Sequence, residues 1–325
     1  MPEHKILYLS QHDVVSTGLE MAEIIQLLEK AFDEKGQGRV EMPPKPGIHP
    51  GGGDNFIHAM PAYIPALHSA GVKWVSGFPG NAQKGLPYIT GLLILNDPET
   101  GIPLAVMDCE WITAMRTAAA TAVAAKRLAR PESAKLGILG CGVQGITNTE
   151  ALHVLFPIED VFAYDVAPEA VAHFSQTIRK KLGLKVTPVQ TPQEAVTGCD
   201  LIVTAGPILK KPHKTIQAGW FEPGAFASLV DFDSYWDPAA LKEVDKFCTD
   251  DLNQFLYYQS VGYFQDTPPV HADLGELVAG LKLGRETAVE RTIACNLGLA
   301  LDDMAVAPTV YRRAVDMGVG VWLPR

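Results

Sequence analysis

The chain has 325 residues, of which 47% are hydrophobic and 20% charged, a composition that supports large cores and excludes a disordered chain. Its formal net charge of −10 disfavours nucleic acid and anionic membranes as partners, because both would repel it. We see no signal peptide and no apolar run of the about 18 residues that a bilayer span needs. The five cysteines form no CxxC pair, so we expect no metal, no disulfide framework and a cytoplasmic location.

The first 117 residues combine an amphipathic helix with several short strands. Apolar residues at helical spacing predict the helix over Gly18 to Lys35. The segments IHAMPAYI, GVKWVSG and ITGLLILND read as strands separated by Gly and Pro. In the second strand Lys73 shares a face with Val75, since alternate side chains of a strand lie on one side. That face is either an exposed sheet rim, the usual place for a lysine, or the wall of a pocket.

A run of small residues precedes the middle part of the chain. Arg116 and Thr117 are predicted to open a helix that continues over Ala118 to Ala125. A cation at a helix start is unfavourable beside the positive end of the helix dipole unless an anion compensates it. We therefore expect an anion near Arg116.

The strongest local motif is KLGILGCGVQG, in which a short apolar strand leads into Gly140, Gly142 and Gly145 and then into a helix. In a G-x-G-x-x-G turn the first glycine allows the tight bend, the second lets the backbone approach a pyrophosphate, and the third lets helix and strand pack closely. The pyrophosphate then lies at the helix N-terminus, which favours anions. Val143 and Gln144 complete this predicted dinucleotide site.

An acid follows the next strand, as a dinucleotide site requires. EDVFAYD ends at Asp165, about 20 residues after the second glycine. Such an acid accepts hydrogen bonds from the ribose 2′-hydroxyl and repels a 2′-phosphate, which favours NAD(H) over NADP(H). Asp165 could also cap the helix that follows.

Alternation of strands and helices continues to about residue 300. KVTPVQ, DLIVTAG and GAFASLVDFD read as strands and TPQEAVTG as a capped helix, a pattern that predicts a doubly wound parallel sheet. Thr204 and Ala205 end one strand at the carboxyl edge, where such sheets bind ligands. The tail is predicted to be a helix followed by a short VGVWLP segment.

Taken together, MRTAAATAVAAKRLA, GILGCGVQG, VKWVSGFPGN and HAMPAYI resemble the ornithine cyclodeaminase/μ-crystallin family over most of the chain. The resemblance implies a Rossmann doubly wound parallel sheet, predicted over residues 118–302. It also implies a discontinuous α+β domain for substrate binding and dimerisation, predicted over 1–117 and 303–325. A homodimer acting on a small amino, imino or keto acid is the expected assembly.

The resemblance also implies roles for individual residues. Lys45, Lys73 and Arg116 occupy the positions of the family's carboxylate-binding cations, although many members have arginine at the position of Lys45. Asp233 in SLVDFDSYW matches the acid beside the nicotinamide, with Asp231 close by. We therefore predict Lys73 and Asp233 as catalytic residues. The remaining predicted contacts are Lys45, His58, Met60 and Arg116 for the substrate, and Thr117, Gly140, Gly142, Val143, Gln144, Gly145, Asp165, Thr204, Ala205 and Asn296 for NAD(H).

Two departures from the family bear on the reaction. Cys295-Asn296-Leu297-Gly298 stands where members often have D-S-T-G, and His58 stands where cyclodeaminases have an acid suited to the distal amine of ornithine. An NAD(H)-dependent reductase of α-imino acids, or the reverse amino acid dehydrogenase, is therefore the favoured prediction. A cyclodeaminase that recycles its NAD is the alternative, and a non-catalytic binding protein of the crystallin type is a further one.

Overall fold

The computed structural model describes residues 5–324, which form two compact units. One unit ends at Arg116 and resumes at Leu299, and the other is Thr117–Gly298. Residues 1–4 and 325 of the predicted first domain lie outside the described range. Across that range, none of the helices combines the length and the apolar character that a membrane crossing requires.

The discontinuous unit is built on a mixed seven-stranded sheet in the order β15-β1-β6-β5-β4-β3-β2. β1 runs parallel to β6 and antiparallel to β15, and the β3 to β6 strands form an antiparallel meander. The strands are β1 Lys5–Leu9, β2 Gly47–Ile48, β3 Phe56–Ile64, β4 Ser69–Gly77, β5 Ile89–Asn96, β6 Pro103–Asp108 and β15 Val321–Pro324.

Helices cover one face of this sheet. α1 spans Gln11–Ser16, α2 Met21–Gly36 and α9 Ala300–Met317, and α9 packs against α2, β3 and β4. α2 begins three residues later than predicted because Gly18 has a φ of +65°, which helical residues do not adopt. The side chain of Glu23 accepts a hydrogen bond from the backbone N–H of Glu20 and so satisfies a free donor at the helix start.

The second unit contains an eight-stranded parallel sheet in the order β13-β12-β14-β11-β10-β7-β8-β9. Every residue of its central strands β10, β11 and β14 is buried, as expected of a parallel sheet covered on both faces. The strands are β7 Lys135–Leu139, β8 Asp160–Tyr164, β9 Lys185–Pro188, β10 Leu201–Thr204, β11 Phe226–Leu229, β12 Lys246–Thr249, β13 Ala272–Asp273 and β14 Thr292–Cys295.

This strand order reverses direction between β7 and β10, which creates the ligand-binding switch point of a Rossmann sheet. The predicted doubly wound fold is confirmed. The helices are α4 Val143–Leu155, α5 Pro168–Leu182, α6 Pro238–Leu241, α7 Leu252–Ser260 and α8 Leu274–Val278, while α3 Glu110–Leu128 begins in the discontinuous unit and ends in this one.

Two predicted elements of this unit are wrong in extent. TPQEAVTG forms only a single 3₁₀ turn over Gln193–Ala195, because Gly198 follows at a φ of +77° and ends the segment. The strand predicted over GAFASLVDFD stops at Leu229. Phe232, at a φ of +63°, turns the chain away from the sheet between Asp231 and Asp233.

Candidate functional site

Lys73 is a buried lysine, so the alternative of an exposed sheet rim does not apply to it. It lies at the centre of β4, opposite Met60 of β3, and its side chain has no exposed surface. Its ammonium lies 2.8 Å from a carboxylate oxygen of Asp303 and donates a 3.2 Å hydrogen bond to the hydroxyl of Thr113. Burial lowers the pKa of Lys73, and the charge of Arg116 lowers it further, while Asp303 opposes both.

Arg116 lies inside a helix, which corrects the prediction that it opens one. α3 begins at Glu110, where the carboxylate of Asp108 accepts a hydrogen bond from the Glu110 backbone N–H. The dipole argument therefore does not apply at Arg116. Anions are nevertheless present near Arg116, since its buried guanidinium lies 3.1 Å from Asp302 and 3.2 Å from Asp303. These ion pairs, and not the helix dipole, compensate its charge.

Asp302 and Asp303, in the first turn of α9, are the residues of this site that sequence reasoning missed. Both are fully buried, and they face the two cations that the resemblance assigns to the substrate. Burial raises the pKa of Asp302 to about 6, and the charge of Asp303 raises it too, although Arg116 opposes this. The only sequence signal was two adjacent acids in an otherwise apolar segment, GLALDDMA, since such acids are rarely buried without a partner.

The other predicted substrate residues lie in the same unit. Met60 is buried, and His58 precedes it by two positions on the same side of β3. The ring of His58 stacks on that of Phe56 with centroids 4.4 Å apart. Burial lowers the pKa of His58 to about 3, and the charges of Lys45, His49 and Lys73 contribute. Lys45, His58, Lys73 and Arg116 are thus brought into one electrostatic neighbourhood within the discontinuous unit.

The glycine-rich loop has the geometry that a dinucleotide needs. Gly140 has a φ of +102°, and a Cβ there would lie 2.5 Å from the carbonyl oxygen of Ala205. A Cβ on Gly145 would lie 2.3 Å from the carbonyl oxygen of Gly140, so the start of α4 packs too closely on the loop for any side chain at this position. Gly142 is the N-cap of α4, has no side-chain cap and has open space at its Cβ position. Val143, in the first turn, is exposed, and Gln144 beside it is half-buried.

Asp165 closes this loop at the end of β8. One of its carboxylate oxygens accepts a hydrogen bond from the backbone N–H of Cys141, and the other accepts from Ala167. Asp165 therefore contacts the glycine-rich loop, as predicted for a ribose-binding acid, and also lies just before α5, as predicted for a helix cap. A carboxylate offers about four acceptor positions, so Asp165 can also accept from a ribose hydroxyl.

Two acids follow β11, and the structure separates their roles. Both carboxylate oxygens of Asp231 are engaged, one by the hydroxyl of Thr204 at 2.6 Å and the other by the N–H of Gly206 at 2.8 Å. Burial raises the pKa of Asp231 to about 7. Asp231 thus fixes the end of β10 by accepting hydrogen bonds from Thr204 and Gly206, on either side of Ala205. Asp233 is also buried, with its pKa raised to about 6 by burial and by Asp266.

Asn296 adds a buried amide at the carboxyl end of β14. Its N–H₂ group donates to the hydroxyl of Ser228 at 3.0 Å, and that hydroxyl lies 2.8 Å from the hydroxyl of Thr121. Its amide oxygen has no hydrogen-bond partner among residues 5–324, so it can accept from a ligand. Together with the loop and Asp165, this unpartnered acceptor fits the binding of a nicotinamide dinucleotide. Thr117 is buried at the start of this unit.

The positions of the histidines and possible metal ligands among residues 5–324 bear on the sequence predictions. Within the described range, no group of three or more His, Cys, Asp or Glu side chains is placed to hold a metal ion. His153 and His173 lie in α4 and α5 as predicted. His271, whose role the sequence left open, has a ring nitrogen 3.0 Å from the carbonyl oxygen of Leu283.

Comparison with known proteins gives a consistent result over almost the full length. Alanine dehydrogenase of Archaeoglobus fulgidus is 40% identical over 323 residues, which are 97% of each chain. The structure of Thermococcus litoralis Δ1-pyrroline-2-carboxylate reductase in complex with NADH and L-proline is 33% identical with a TM-score of 0.87, covering 97% of this chain and 99% of that one.

An archaeal alanine dehydrogenase dimer with bound NAD is 38% identical with a TM-score of 0.87, and the match covers 98% of this chain and 99% of that one. The model of the ornithine cyclodeaminase/mu-crystallin family matches residues 5–318. The chain therefore belongs to the ornithine cyclodeaminase/mu-crystallin family.

Proposed function

We propose that the protein is an NAD(H)-dependent oxidoreductase that interconverts a small α-imino acid and the corresponding amino acid. A protonated C=N carbon beside a carboxylate accepts a hydride and becomes the α-carbon of the amino acid, and NADH becomes NAD⁺. Reduction of a preformed imine and reductive amination of a 2-oxo acid are two forms of this reaction. The relatives include an alanine dehydrogenase and a reductase of Δ1-pyrroline-2-carboxylate, which represent both forms.

One observation carries the proposal: the buried pair of Lys73 and Arg116. Two cations are expensive to bury together, and a protein that only needed a core would place apolar residues there. A substrate carboxylate is an anion that both can bind, the guanidinium through its planar fork. Burial and Arg116 lower the pKa of Lys73, which makes its ammonium a better proton donor than an exposed lysine.

The chain's own groups bind, orient and move protons, while NAD(H) supplies or accepts the hydride when bound. Arg116 and Lys45 hold the acid end of the substrate in this proposal. Asp233, whose pKa of about 6 lies close to neutrality, stabilises the iminium or positions a water. The other residues predicted to contact NAD(H) bind it in this proposal; they are Thr117, Gly140, Gly142, Val143, Gln144, Gly145, Asp165, Thr204, Ala205 and Asn296.

A cyclodeaminase reaction on ornithine is the alternative, and His58 argues against it. A distal ammonium needs an acid, whereas a ring with a pKa of about 3 is neutral near pH 7. The neighbouring charges of Lys45 and Lys73 would repel that ammonium. A crystallin-type binding protein would not require Lys73 and Arg116 to be buried together.

The cofactor preference yields the first prediction. Asp165→Ser should narrow the preference for NADH over NADPH by at least about tenfold, because the carboxylate that repels a 2′-phosphate is lost. kcat/KM is measured for both cofactors in both proteins, with Asp160→Ser, which changes an exposed acid at the start of β8, as the matched control. Equal use of both cofactors by the unmodified protein would contradict the assignment.

The outer face of the seven-stranded sheet supports a homodimer. Tyr63, Trp74 and Leu92 are exposed there, and Trp74 lies opposite Leu92 in the register of β4 and β5. Antiparallel sheets that face water on one side alternate apolar with polar residues, and this face is instead apolar. A second copy of the chain is the partner that we propose for it, and the archaeal alanine dehydrogenase is a dimer.

The second prediction tests this assembly. Trp74→Glu should convert the dimer to monomer, because it places two charges in an apolar interface related by a two-fold axis. Molar mass from light scattering after gel filtration measures the state. Leu281→Glu, which changes an exposed apolar residue of the other unit, should remain dimeric. Dimeric Trp74→Glu protein would exclude this face as the interface.

A substrate screen tests the proposed function itself. Purified protein is incubated with NADH and either 2-oxo acids plus ammonia or methylamine, or preformed cyclic imines, and NADH absorbance is followed. Loss of NADH with formation of an amino acid is the expected result. NADH that is stable with every imine and oxo acid would refute the proposal. Fractionation of cells tests the cytoplasmic location, which we keep as part of the proposal.

A further inference from the structure

The acids Asp302 and Asp303 balance the charges of Lys73 and Arg116 before any substrate arrives. The ammonium lies 2.8 Å from both oxygens of Asp303, and the guanidinium contacts Asp303 at 3.2 Å and Asp302 at 3.1 Å. All four side chains are buried. Two positive and two negative charges therefore form a neutral cluster inside the discontinuous unit.

The carboxylate of a 2-oxo acid, which has no cationic nitrogen, would add one negative charge to this cluster of four. An unpaired buried charge is strongly unfavourable, so uptake of a proton by the cluster would favour binding. Because Asp303 contacts both cations, protonating it would weaken two ion pairs. Within the cluster Asp302 pairs with Arg116, so its protonation weakens one ion pair.

Asp302 also has room for a proton. One of its oxygens accepts from Arg116 and from the N–H of Leu299. Its other oxygen, Oδ1, is buried and has no hydrogen-bond partner among residues 5–324. Burial and Asp303 already raise its pKa to about 6, against the opposing charges of Arg116 and Lys73.

Three neighbouring titratable groups, Cys109, His58 and Lys73, do not compete for the proton. Cys109 adjoins Lys73 and Asp303, and burial raises the pKa of its thiol to about 11, so it is already protonated. His58 adjoins Lys73 and has a pKa of about 3, so it stays neutral. Lys73 already carries an ion pair with Asp303.

We propose that Asp302 takes up one proton from solvent, on Oδ1, when the carboxylate of a 2-oxo acid binds to Arg116. Asp303 keeps its contacts with both cations and orients the ammonium of Lys73. No substrate bond forms or breaks in this step. The inference rests on the proposed role of Arg116 in binding a carboxylate, and it makes Asp302 a positioning residue that couples substrate affinity to pH.

Calorimetry of the complex with NADH tests the inference. The probes are pyruvate and cyclopentanecarboxylate, which carry a carboxylate but no titratable nitrogen, and they are titrated without ammonia. The binding enthalpy is measured in two buffers of different ionisation enthalpy at about pH 7.5. The difference between the two binding enthalpies should correspond to the uptake of close to one proton from the buffer. The dissociation constant should rise by up to about tenfold per pH unit above the pKa of the free protein.

Asp302→Asn should bind the probes without proton uptake and with an affinity that does not depend on pH, because the titrating group is gone. Asp54→Asn, an exposed loop acid in the same unit, should behave as the unmodified protein. Thermal melting of Asp302→Asn checks its fold, and the pH series on the unmodified protein is decisive if that variant fails to fold. Heats that do not depend on buffer, a pH-independent affinity, or no binding of either carboxylate would overturn the inference. Proton-linked binding in a protein without reductase activity would refute the proposed function alone.

Discussion

Lys73→Met is expected to lower kcat by about 10²- to 10⁴-fold, the usual contribution of a positioned proton donor. Methionine fills a similar volume but has no ammonium, so the reacting nitrogen would lose a hydrogen bond that strengthens in the transition state. KM should rise as well if Lys73 also binds the carboxylate. NADH affinity should stay unchanged, because the predicted cofactor contacts lie in the other unit.

The same substitution should destabilise the protein by about 3–5 kcal/mol, because it leaves the buried carboxylate of Asp303 without its nearest cation. The double variant Lys73→Met/Asp303→Leu removes both charges, and replacement of a whole buried pair by apolar residues is often neutral. We therefore expect the double variant to recover most of the lost unfolding free energy in denaturant titrations, and to stay as inactive as the single one.

This pattern separates chemistry from folding. Recovery of turnover together with stability would mean that Lys73 acts only through the fold, and would contradict its catalytic role. Lys84→Met, which changes an exposed lysine of the same unit, controls for the loss of a lysine and should change neither stability nor turnover.

Arg116→Lys should raise KM for the carboxylate substrate by about 10- to 100-fold, with a smaller change in kcat. The charge is retained, but the planar fork that binds two oxygens is lost. Lysine also reaches the acids of α9 less well than the two guanidinium nitrogens that contact them at 3.1 and 3.2 Å. Steady-state kinetics on a substrate and on its carboxamide measure the effect.

The carboxamide should respond little to Arg116→Lys, because it offers no anion to the guanidinium. An equal loss on both substrates would indicate a general distortion and contradict the carboxylate role. Arg312→Lys, on the exposed side of α9, is the matched control and should leave both constants unchanged.

Local patterns were sufficient to predict the dinucleotide half of the protein. The strand before Gly140, the glycine spacing and the acid at Asp165 all act over a few residues, and the structure places them as expected. The predicted start of α3 is wrong because the helix begins after Asp108, before the small-residue run. The carboxylate of Asp108 accepts a hydrogen bond from the Glu110 N–H. An aspartate that accepts from the backbone two residues later is a recognisable signal for the start of a helix.

The charge cluster could not be predicted in the same way. Asp303 and Lys73 are 230 positions apart in the sequence, and only the packing of α9 on β4 brings them together. Burial of Lys73 is likewise a tertiary property, because the alternation of β4 is equally compatible with a solvent-facing side. The resemblance identified the two cations, and the fold was needed to reveal their counter-charges.

Isotope transfer tests the central claim most directly. Protein incubated with NADH carrying deuterium at the transferred position, and with the imine or oxo acid selected by the screen, should yield an amino acid with one deuterium on its α-carbon and one NADH consumed per product. Mass spectrometry and NADH absorbance record both quantities. Product without deuterium, or ornithine converted to proline and ammonia with only catalytic NAD⁺, would contradict the account.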